Sequence, residues 1–422
     1  MIKGLKIRLD IHNILYSIYK HNKTLESNST KRIINNHSEK DISFLYNVTL
    51  NSMRLHFHTL RIIKKYIKNK LRDQERILLI SAITQIVFLN FKEYAVINCS
   101  VEIAKKLKLY PGLINATLKR IAKNKLDLKK INIEYSHLPN WFLKKTNNLS
   151  YEEKKHFVKN FHKEPDVHII FKNTEMFKSF EEELVQTSSI SGFLVNKQKI
   201  SLKKNFKEGN WWVQDFSSFF PISNFCIKDK NIKILDACAA PGGKSFQLLS
   251  RGHTVVLNDK SSTRIKVLTS NLTRLKLYPK ILNKDFTKFD INEKYDLIVI
   301  DAPCSAIGTI RKNPEIFFKN KGPDFIKLIN IQQKMLDKAA LLLEKNGLIV
   351  YMTCSFLECE TVNQIAKFLK KSNKFELSDF VLTEENKSFS RFIKNKFMLT
   401  LPDNILRYTI DGYFAAFIKK IK

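Results

Sequence analysis

The stretch Ile-Leu-Asp-Ala-Cys-Ala-Ala-Pro-Gly-Gly-Lys-Ser, residues 234–245, is a short apolar run that ends in a turn with two glycines. The whole chain has only 11 glycines, and two of them are adjacent here. Glycine after a strand permits tight turning and close approach of the backbone to a ligand. The stretch therefore predicts a strand whose carboxyl end meets a nucleotide-like ligand.

Three further apolar runs follow, at residues 254–258, 296–301 and 348–353, with amphipathic helices predicted near 260–277 and 324–345. Strands and helices that alternate in this way predict an α/β fold, with a parallel sheet covered on both faces. In such sheets ligands bind beyond the carboxyl ends of the strands. The residues that end each run are therefore the candidate site.

The loop after the first run does not match the common phosphate-binding patterns. Gly243-Lys244-Ser245 matches the end of a Walker A loop, but Cys238 stands where that pattern needs its first glycine, and no G-x-G-x-x-G occurs. A loop without a phosphate cradle, preceded by Asp236, favours a phosphate-free cofactor such as S-adenosylmethionine. The predicted cofactor-binding loop consists of Cys238, Ala239, Ala240, Pro241, Gly242, Gly243 and Lys244.

Two aspartates follow the next strands. Asp259 ends the second run, where it is placed to accept hydrogen bonds from ribose hydroxyls, although a helix-capping aspartate is the competing interpretation. Asp285 follows a weaker third strand and is assigned to the neighbourhood of the adenine. Both are predicted cofactor-binding residues.

Two cysteines stand at strand ends. Asp301 and Cys304 leave the run at 296–301 together, and Cys354 follows the run at 348–353. A single cysteine in such a place is readily explained as a buried packing residue. Two cysteines at neighbouring strand ends beside a cofactor are poorly explained by packing alone.

The remainder of the chain is organised differently. Up to about residue 128 the apolar residues have a helical period, as in Leu60, Ile63, Ile67 and Leu71, with breaks near 21–39, 90–94 and 110–112, which predicts an all-α bundle. Residues 129–215 give mixed signals and predict a small α/β connector, with a strand at 167–171. The predicted domains are 1–128, 129–215 and 216–422.

Charge and cysteine usage bear on partners and location. The net charge of +33 favours a polyanionic partner, although abundant Lys, Asn and Ile would also follow from an A+T-biased genome. Six cysteines show no CxxC pair and no zinc-ligand spacing, so we expect a reduced, cytoplasmic protein without a metal site. Charged residues interrupt the first ten positions, and we expect neither a signal peptide nor a membrane partner.

The motifs carry a family resemblance. Cys-Ala-Ala-Pro-Gly-Gly-Lys (238–244), Asp-Ala-Pro-Cys-Ser-Ala-Ile-Gly (301–308) and Thr-Cys-Ser (353–355) resemble the motif set of the RNA cytosine-C5 methyltransferases. Residues 94–105 and 113–120 resemble the central helices of the NusB fold. Together with 137–143, 213–215 and 411–417, the combination resembles the small-subunit ribosomal RNA methyltransferase B subfamily over nearly the whole chain.

The resemblance implies a fold and a set of roles. It implies a Rossmann-like S-adenosylmethionine-dependent methyltransferase domain with a mostly parallel seven-stranded sheet, preceded by a NusB-like bundle. Cys354 would be the nucleophile that adds to C6 of a flipped cytosine. Asp301 would bind the amino and N3 edge of the base and also line the cofactor site. Cys304 would assist product release, although a structural role is equally compatible with the sequence.

The resemblance also implies a partner. We expect 16S ribosomal RNA as the substrate, a monomer as the active form, and no DNA substrate. Two other functions stay open, because the catalytic half alone does not distinguish them: methylation of transfer RNA by the same chemistry, and an assembly factor that binds ribosomal RNA and retains vestigial activity.

Overall fold

The computed structural model describes residues 4–180, 183–196, 200, 203, 205–225, 232–288 and 293–421. The chain divides into two compact units. The first comprises Met1–Glu164 and Ile310–Pro323, and the second comprises Pro165–Thr309 and Asp324–Lys422. The division at 128 and 215 stays a prediction, and Cys226 lies outside the described residues.

The first unit is helical. Its helices are α1 (Leu5–His21), α2 (Asn28–Asn35), α3 (Glu39–Arg54), α4 (His56–Tyr66), α5 (Asp73–Ile83), α6 (Glu93–Lys106), α7 (Pro111–Lys123), α8 (Lys125–Leu128), α9 (Asn140–Lys145) and α10 (Tyr151–Asn160). A π-helical turn, Thr84–Phe88, directly continues α5. The predicted all-α bundle is confirmed.

Two local predictions in the bundle were wrong. The predicted break at 21–39 contains α2, which buries Thr30 and Ile34. The stripe through Ile67 and Leu71 is not one helix, because α4 ends at Tyr66 and Ile67 is extended. Ile67 and Leu71 nevertheless pack against the same apolar cluster as α4, which explains why their spacing resembled a helical stripe.

The segment Ile310–Pro323 belongs to the first unit although it closely follows the motif at 301–308, which lies in the second unit. It contains a 3₁₀ turn at Pro314–Phe318. Arg311 is fully buried, and its carbonyl oxygen accepts a hydrogen bond of 2.7 Å from Nε of Arg54. The chain therefore leaves the second unit after Thr309 and returns to it at Asp324.

The second unit begins with a small antiparallel sheet. Its strands are β1 (His168–Phe171), β2 (Leu184–Ser188), β3 (Ser191–Leu194) and β4 (Trp211–Val213), in the order β2-β3-β1-β4. The helices α11 (Thr174–Lys178) and α12 (Phe216–Ser223) accompany it. The predicted strand at 167–171 is confirmed as β1.

The main sheet of the second unit carries the candidate site. The strands and α-helices along this part of the chain are β5 (Ile234–Asp236), α13 (Gly243–Ser250), β6 (Val255–Asn258), α14 (Ser262–Arg274), β7 (Ile281–Leu282), β8 (Tyr295–Asp301), α15 (Phe325–Leu342), β9 (Leu343–Thr353), α16 (Val362–Lys370), β10 (Phe375–Leu377), β11 (Ile393–Lys394), β12 (Phe397–Thr400), β13 (Asp403–Ile405), β14 (Tyr408–Ile410) and β15 (Tyr413–Lys420). Strands β13 and β14 pair only with each other and are not part of the main sheet. The four apolar runs of the sequence are the strands β5, β6, β8 and β9.

The sheet order is β11-β12-β15-β9-β8-β5-β6-β7, with β10 also paired to β15. Strands β5, β6, β7, β8 and β9 are parallel to one another, whereas β15 runs antiparallel to its neighbour β9. The fold class is confirmed, but the sheet has nine strands where seven were expected. The two extra strands are β11 and β12. Strand β10 pairs with residues 418–420 of β15, β12 pairs with residues 413–415 of the same strand, and β11 pairs with β12.

The strands of the sheet are buried on both faces. Residues of β5, β8, β9 and β15 contribute to two apolar clusters that lie on opposite sides of the sheet. The strands of a parallel sheet that is covered on both faces have continuous apolar sequences, whereas strands with one exposed face alternate apolar and polar residues. The parallel strands of this sheet have the continuous pattern. Among the described residues, no helix has the length and apolar content that crossing a membrane requires.

Candidate active site

The turn after β5 brings the backbone of the predicted cofactor loop to the neighbouring strand. Ala239 N–H donates to the carbonyl oxygen of Asn258 at 2.8 Å, and Gly242 precedes α13 with a φ of +120°. A Cβ on Gly242 would lie 2.0 Å from the ring of Phe246. Both the backbone conformation and the close ring therefore require glycine at this position.

Asp236 anchors the start of this loop from inside the sheet. Its buried carboxylate accepts hydrogen bonds from Ser245 Oγ at 2.6 Å and from Cys238 N–H at 3.3 Å. Burial raises the pKa of Asp236 to about 6. Burial likewise raises the pKa of the Cys238 thiol, so Cys238 stays protonated near neutral pH and is not a candidate thiolate.

Asp301, at the end of β8, is held between two side chains. Its Oδ2 accepts a hydrogen bond and ion pair of 2.7 Å from Lys244 Nζ, and its Oδ1 accepts from Tyr413 O–H at 2.8 Å. The Lys244 ammonium also lies 5.3 Å from the centre of the Tyr413 ring. A carboxylate has about four lone-pair positions, so Asp301 keeps acceptor capacity for a ligand.

Asp259 and Asp285 stand beyond the ends of β6 and β7. Buried Asp259 accepts from Ala240 N–H at 3.2 Å and Ser261 N–H at 2.9 Å, and Arg264 lies 3.3 Å from its Oδ2. Asp285 accepts a 2.8 Å hydrogen bond from Lys260, which lowers the pKa of Asp285 to about 2. Contacts to the ribose and adenine stay predictions for both residues.

The two candidate cysteines are in contact. Cys304 Sγ and Cys354 Sγ are 3.2 Å apart, and both residues are partly buried. Hydrogen bonding with Cys354, followed by burial, raises the pKa of Cys304 well above its usual range. Cys304 therefore stays protonated near neutral pH.

The structure adds two residues that the sequence reasoning did not assign. Tyr413 begins β15, and its hydroxyl group contacts Asp301 because the antiparallel β15 starts where β9 ends. Glu360 is fully buried in a 3₁₀ turn six residues after Cys354 and contacts the serines that follow both cysteines. A pattern search for strand ends misses Tyr413, which stands at a strand beginning, and Glu360, which stands on no strand.

The arrangement defines a class of protein. A parallel sheet with an antiparallel strand beside β9, and a carboxylate-lined edge without a phosphate cradle, is the geometry of an S-adenosylmethionine-dependent methyltransferase. Residues 226–419 match the family model described as 16S rRNA methyltransferase RsmB/F, and residues 6–123 match that of the NusB family. The chain thus joins a domain that matches the NusB family to a domain that matches the RsmB/F methyltransferase family.

Whole-chain comparisons agree with the two domain matches. The chain is 26% identical over 398 residues to ribosomal RNA small subunit methyltransferase B of Vibrio vulnificus, covering 88% of this chain and 93% of that protein. It is 28% identical over 410 residues to the protein of the same name from Proteus mirabilis, covering 91% and 92%. The methyltransferase and NusB predictions are confirmed.

Solved structures share the fold. The structure of a protein designated PH0851 has a TM-score of 0.70 at 19% identity and covers 98% of this chain and 99% of its own. That of NSun6 from Pyrococcus horikoshii with SFG has a TM-score of 0.57 at 18% identity and covers 67% of this chain and 98% of its own. S-adenosylmethionine is the cofactor of this domain, as the sequence predicted.

The residues present fit that cofactor. Four carboxylates, those of Asp236, Asp259, Asp285 and Asp301, stand at the carboxyl ends of four adjacent parallel strands. A carboxylate-rich edge suits a ligand with a positively charged sulfonium and amino group and with ribose hydroxyls that donate hydrogen bonds. The loop 238–243 presents backbone to this edge and has no side chain that would pair with a phosphate.

Proposed function

We propose that this chain methylates C5 of a specific cytosine in small-subunit (16S) ribosomal RNA through a covalent bond between Cys354 and C6 of the base. The observation that carries the proposal is the pair of thiols, 3.2 Å apart, at the ends of adjacent strands and close in sequence to Asp301. The RNA target follows the names of the relatives that match along most of the chain.

The reaction begins with attack by one of the two thiols, that of Cys354. C5 of cytosine is too weak a nucleophile to accept a methyl group directly, so the Cys354 thiolate first adds to C6. The new S–C6 bond moves the electrons of the C5=C6 double bond onto C5. When bound, S-adenosylmethionine supplies the electrophilic methyl group that C5 receives.

Product release reverses the addition. The C5 proton leaves to a base, the electrons of the C5–H bond restore the C5=C6 double bond, and Cys354 departs as a thiolate. Cys304, whose pKa is raised, carries the S–H that donates a hydrogen bond to the departing sulfur. Cys304 thus assists release rather than attack.

Asp301 fixes the base during both steps. Its carboxylate accepts from the 4-amino group of cytosine and from N3–H when N3 becomes protonated. Lys244 and Tyr413, which contact the two carboxylate oxygens, keep that carboxylate oriented. The target base is extruded from its stack before it reaches this pocket.

The cysteine roles are tested by denaturing gels of protein incubated with 16S RNA and S-adenosylmethionine. Cys354→Ser should abolish methylation and any protein–RNA adduct, because a hydroxyl group is far less ionised than a thiol near neutral pH. Cys304→Ser should permit attack but slow release, so an adduct that survives denaturation accumulates. Cys99→Ser, in the helical bundle, is the matched control. An adduct with Cys354→Ser and none with Cys304→Ser reverses the two roles.

The substrate is tested by mapping 5-methylcytosine in total RNA with and without the gene. Loss of one 16S rRNA position supports the proposal, and loss of a transfer RNA position favours the transfer RNA alternative. An unchanged map together with a defect in small-subunit assembly favours the assembly factor. That the chain acts as a cytoplasmic monomer on RNA and not on DNA stays a prediction.

A further inference from the structure

Glu360 is a buried carboxylate that contacts both cysteine loops. The side chain is fully buried. Its Oε1 accepts from Ser305 N–H at 2.7 Å, and its Oε2 accepts from Ser305 Oγ at 2.5 Å and Ser355 Oγ at 2.7 Å. Ser305 follows Cys304 and Ser355 follows Cys354, so one carboxylate joins the residues next to both thiols.

Two further contacts fix Glu360 itself. Gln332 Nε2, from α15, donates to Glu360 Oε1 at 3.3 Å and to the Pro303 carbonyl oxygen at 2.9 Å. Tyr351 O–H, from β9, donates to the Glu360 carbonyl oxygen at 3.0 Å. Glu360 is thereby tied to the loops that follow β8 and β9, to Tyr351 of β9 and to α15.

Among the described residues, Glu360 forms no ion pair with a Lys, Arg or His side chain. A buried carboxylate without a cation is costly unless several hydrogen bonds satisfy it, and here four do. Its negative charge is one of the causes that raise the pKa of Cys304.

We propose that Glu360 is a positioning residue, which holds the loops of Cys304 and Cys354 so that the two sulfurs stay in contact. This inference rests on the proposed function, because it assigns different roles to the two thiols. Displacement of a reacting group by about 1 Å costs on the order of a hundredfold in rate. Glu360 would thus act on catalysis without touching RNA or cofactor.

The contact between the sulfurs is tested on the full chain with a trivalent phenylarsenical, which bridges two adjacent thiols and releases water, without any redox change. Wild type should capture it, and Cys304→Ser should not. Glu360→Ala should slow capture at least tenfold. Glu360→Gln keeps the shape, its oxygen can accept from Ser305 N–H, and its NH2 group can donate to the two serine hydroxyl groups, so it should stay within about threefold of wild type. The buried Asn386, which contacts Asn224 and Thr383, supplies the control Asn386→Ala.

The effect of the charge is tested separately by the pH dependence of alkylation at Cys304, with Cys354 replaced by serine. Glu360→Gln should lower the pH at which alkylation reaches half its maximum, because a negative neighbour is removed. The other titratable neighbours of Cys304, Tyr351 and Tyr413, are the same in both proteins. An unchanged pH profile would overturn the role of the charge.

Kinetics distinguish positioning from stability. Glu360→Ala should reduce kcat on the order of a hundredfold with the KM for RNA within about threefold of wild type. Capture by Glu360→Ala at the wild-type rate would overturn the positioning role even if the proposed function holds. If Glu360→Ala does not fold, the Gln variant decides: a tenfold loss of capture in it refutes the hydrogen-bonding argument. Absence of cytosine methylation by wild type refutes the proposed function alone, since capture needs no activity.

Discussion

Replacing Gly308 by alanine should separate two backbone segments on which the site depends. Gly308 N–H donates to the Cys354 carbonyl oxygen at 3.0 Å, and the Gly308 carbonyl oxygen accepts from Gly412 N–H at 2.9 Å. A Cβ on Gly308 would lie 1.8 Å from the Gly412 carbonyl oxygen, and real Cβ contacts essentially never fall below 3.0 Å. The segments must therefore move apart by roughly 1.2 Å, which neither backbone allows without breaking these bonds.

The magnitude follows from the contacts. Overpacking of a close contact costs about 1–3 kcal/mol, and each of the two lost hydrogen bonds costs about 0.5–1.5 kcal/mol, so a total of about 2–6 kcal/mol is expected. The same displacement acts on Cys354 and on Tyr413, which follows Gly412, and should reduce kcat on the order of a hundredfold. Thermal unfolding and single-turnover methylation measure the two effects.

Gly252→Ala is the matched control in the same unit. Gly252 has a φ of +84°, but no atom lies within 4 Å of the position that an alanine methyl group would take. Alanine there should therefore cost only about 1 kcal/mol of backbone strain and leave kcat unchanged. If Gly308→Ala is as stable and as active as Gly252→Ala, the argument from close backbone contact is refuted.

Four further outcomes are expected. Tyr413→Phe removes the 2.8 Å hydrogen bond to the Asp301 carboxylate, worth about 1.5–3 kcal/mol, and should lower kcat roughly tenfold to a hundredfold while cofactor affinity measured by calorimetry is unchanged; a weaker cofactor with an unaltered kcat would contradict the assigned role. Asp259→Ala should weaken S-adenosylmethionine binding by about 1–3 kcal/mol, and unaltered affinity would remove Asp259 from the cofactor site. Asp236 has a pKa of about 6 in the folded protein against an ordinary 3.8, so its contribution to the free energy of unfolding is present below about pH 4 and is lost as the pH rises through about 6. Asp236→Asn should therefore remove this pH-dependent fall in the free energy of unfolding, and a fall that persists in the variant would point to another group. Replacement of the exposed Lys106, Lys119 and Lys123 by glutamine should weaken RNA binding and flatten its salt dependence, whereas unchanged affinity and slope would assign these lysines to genome composition.

The parallel half of the site was predictable from local sequence. The runs ending at Asp236, Asp259 and Asp301 became neighbouring strands because buried parallel strands are continuous apolar segments, and their carboxyl ends meet at one edge. The contact between Cys304 and Cys354 follows from the same rule, since β8 and β9 are adjacent. The order and ends of the apolar runs therefore predicted which residues lie close together.

The supporting residues were not predictable in this way. Glu360 lies on a short 3₁₀ turn, and its buried state depends on hydrogen bonds from three separate elements rather than on any periodicity. The separation of residues 310–323 from the second unit has the same character, because a short segment with Pro314 and Phe317 has no pattern that indicates which core it joins. Local sequence specifies elements, and packing between distant elements specifies these contacts.

Because β15 is antiparallel to β9, residues that are far apart in the sequence of the second unit meet at one end of the sheet. A strand that runs against its neighbour begins where that neighbour ends, so Phe414 pairs with Thr353, the residue before Cys354. Tyr413 consequently reaches Asp301 across 112 positions of sequence, and Gly412 reaches Gly308 in the loop that follows Cys304. Because Lys244 of the predicted cofactor loop, Asp301 and Gly308 all contact Gly412 or Tyr413, a change near residue 412 should alter the chemistry as strongly as a change in the motifs themselves.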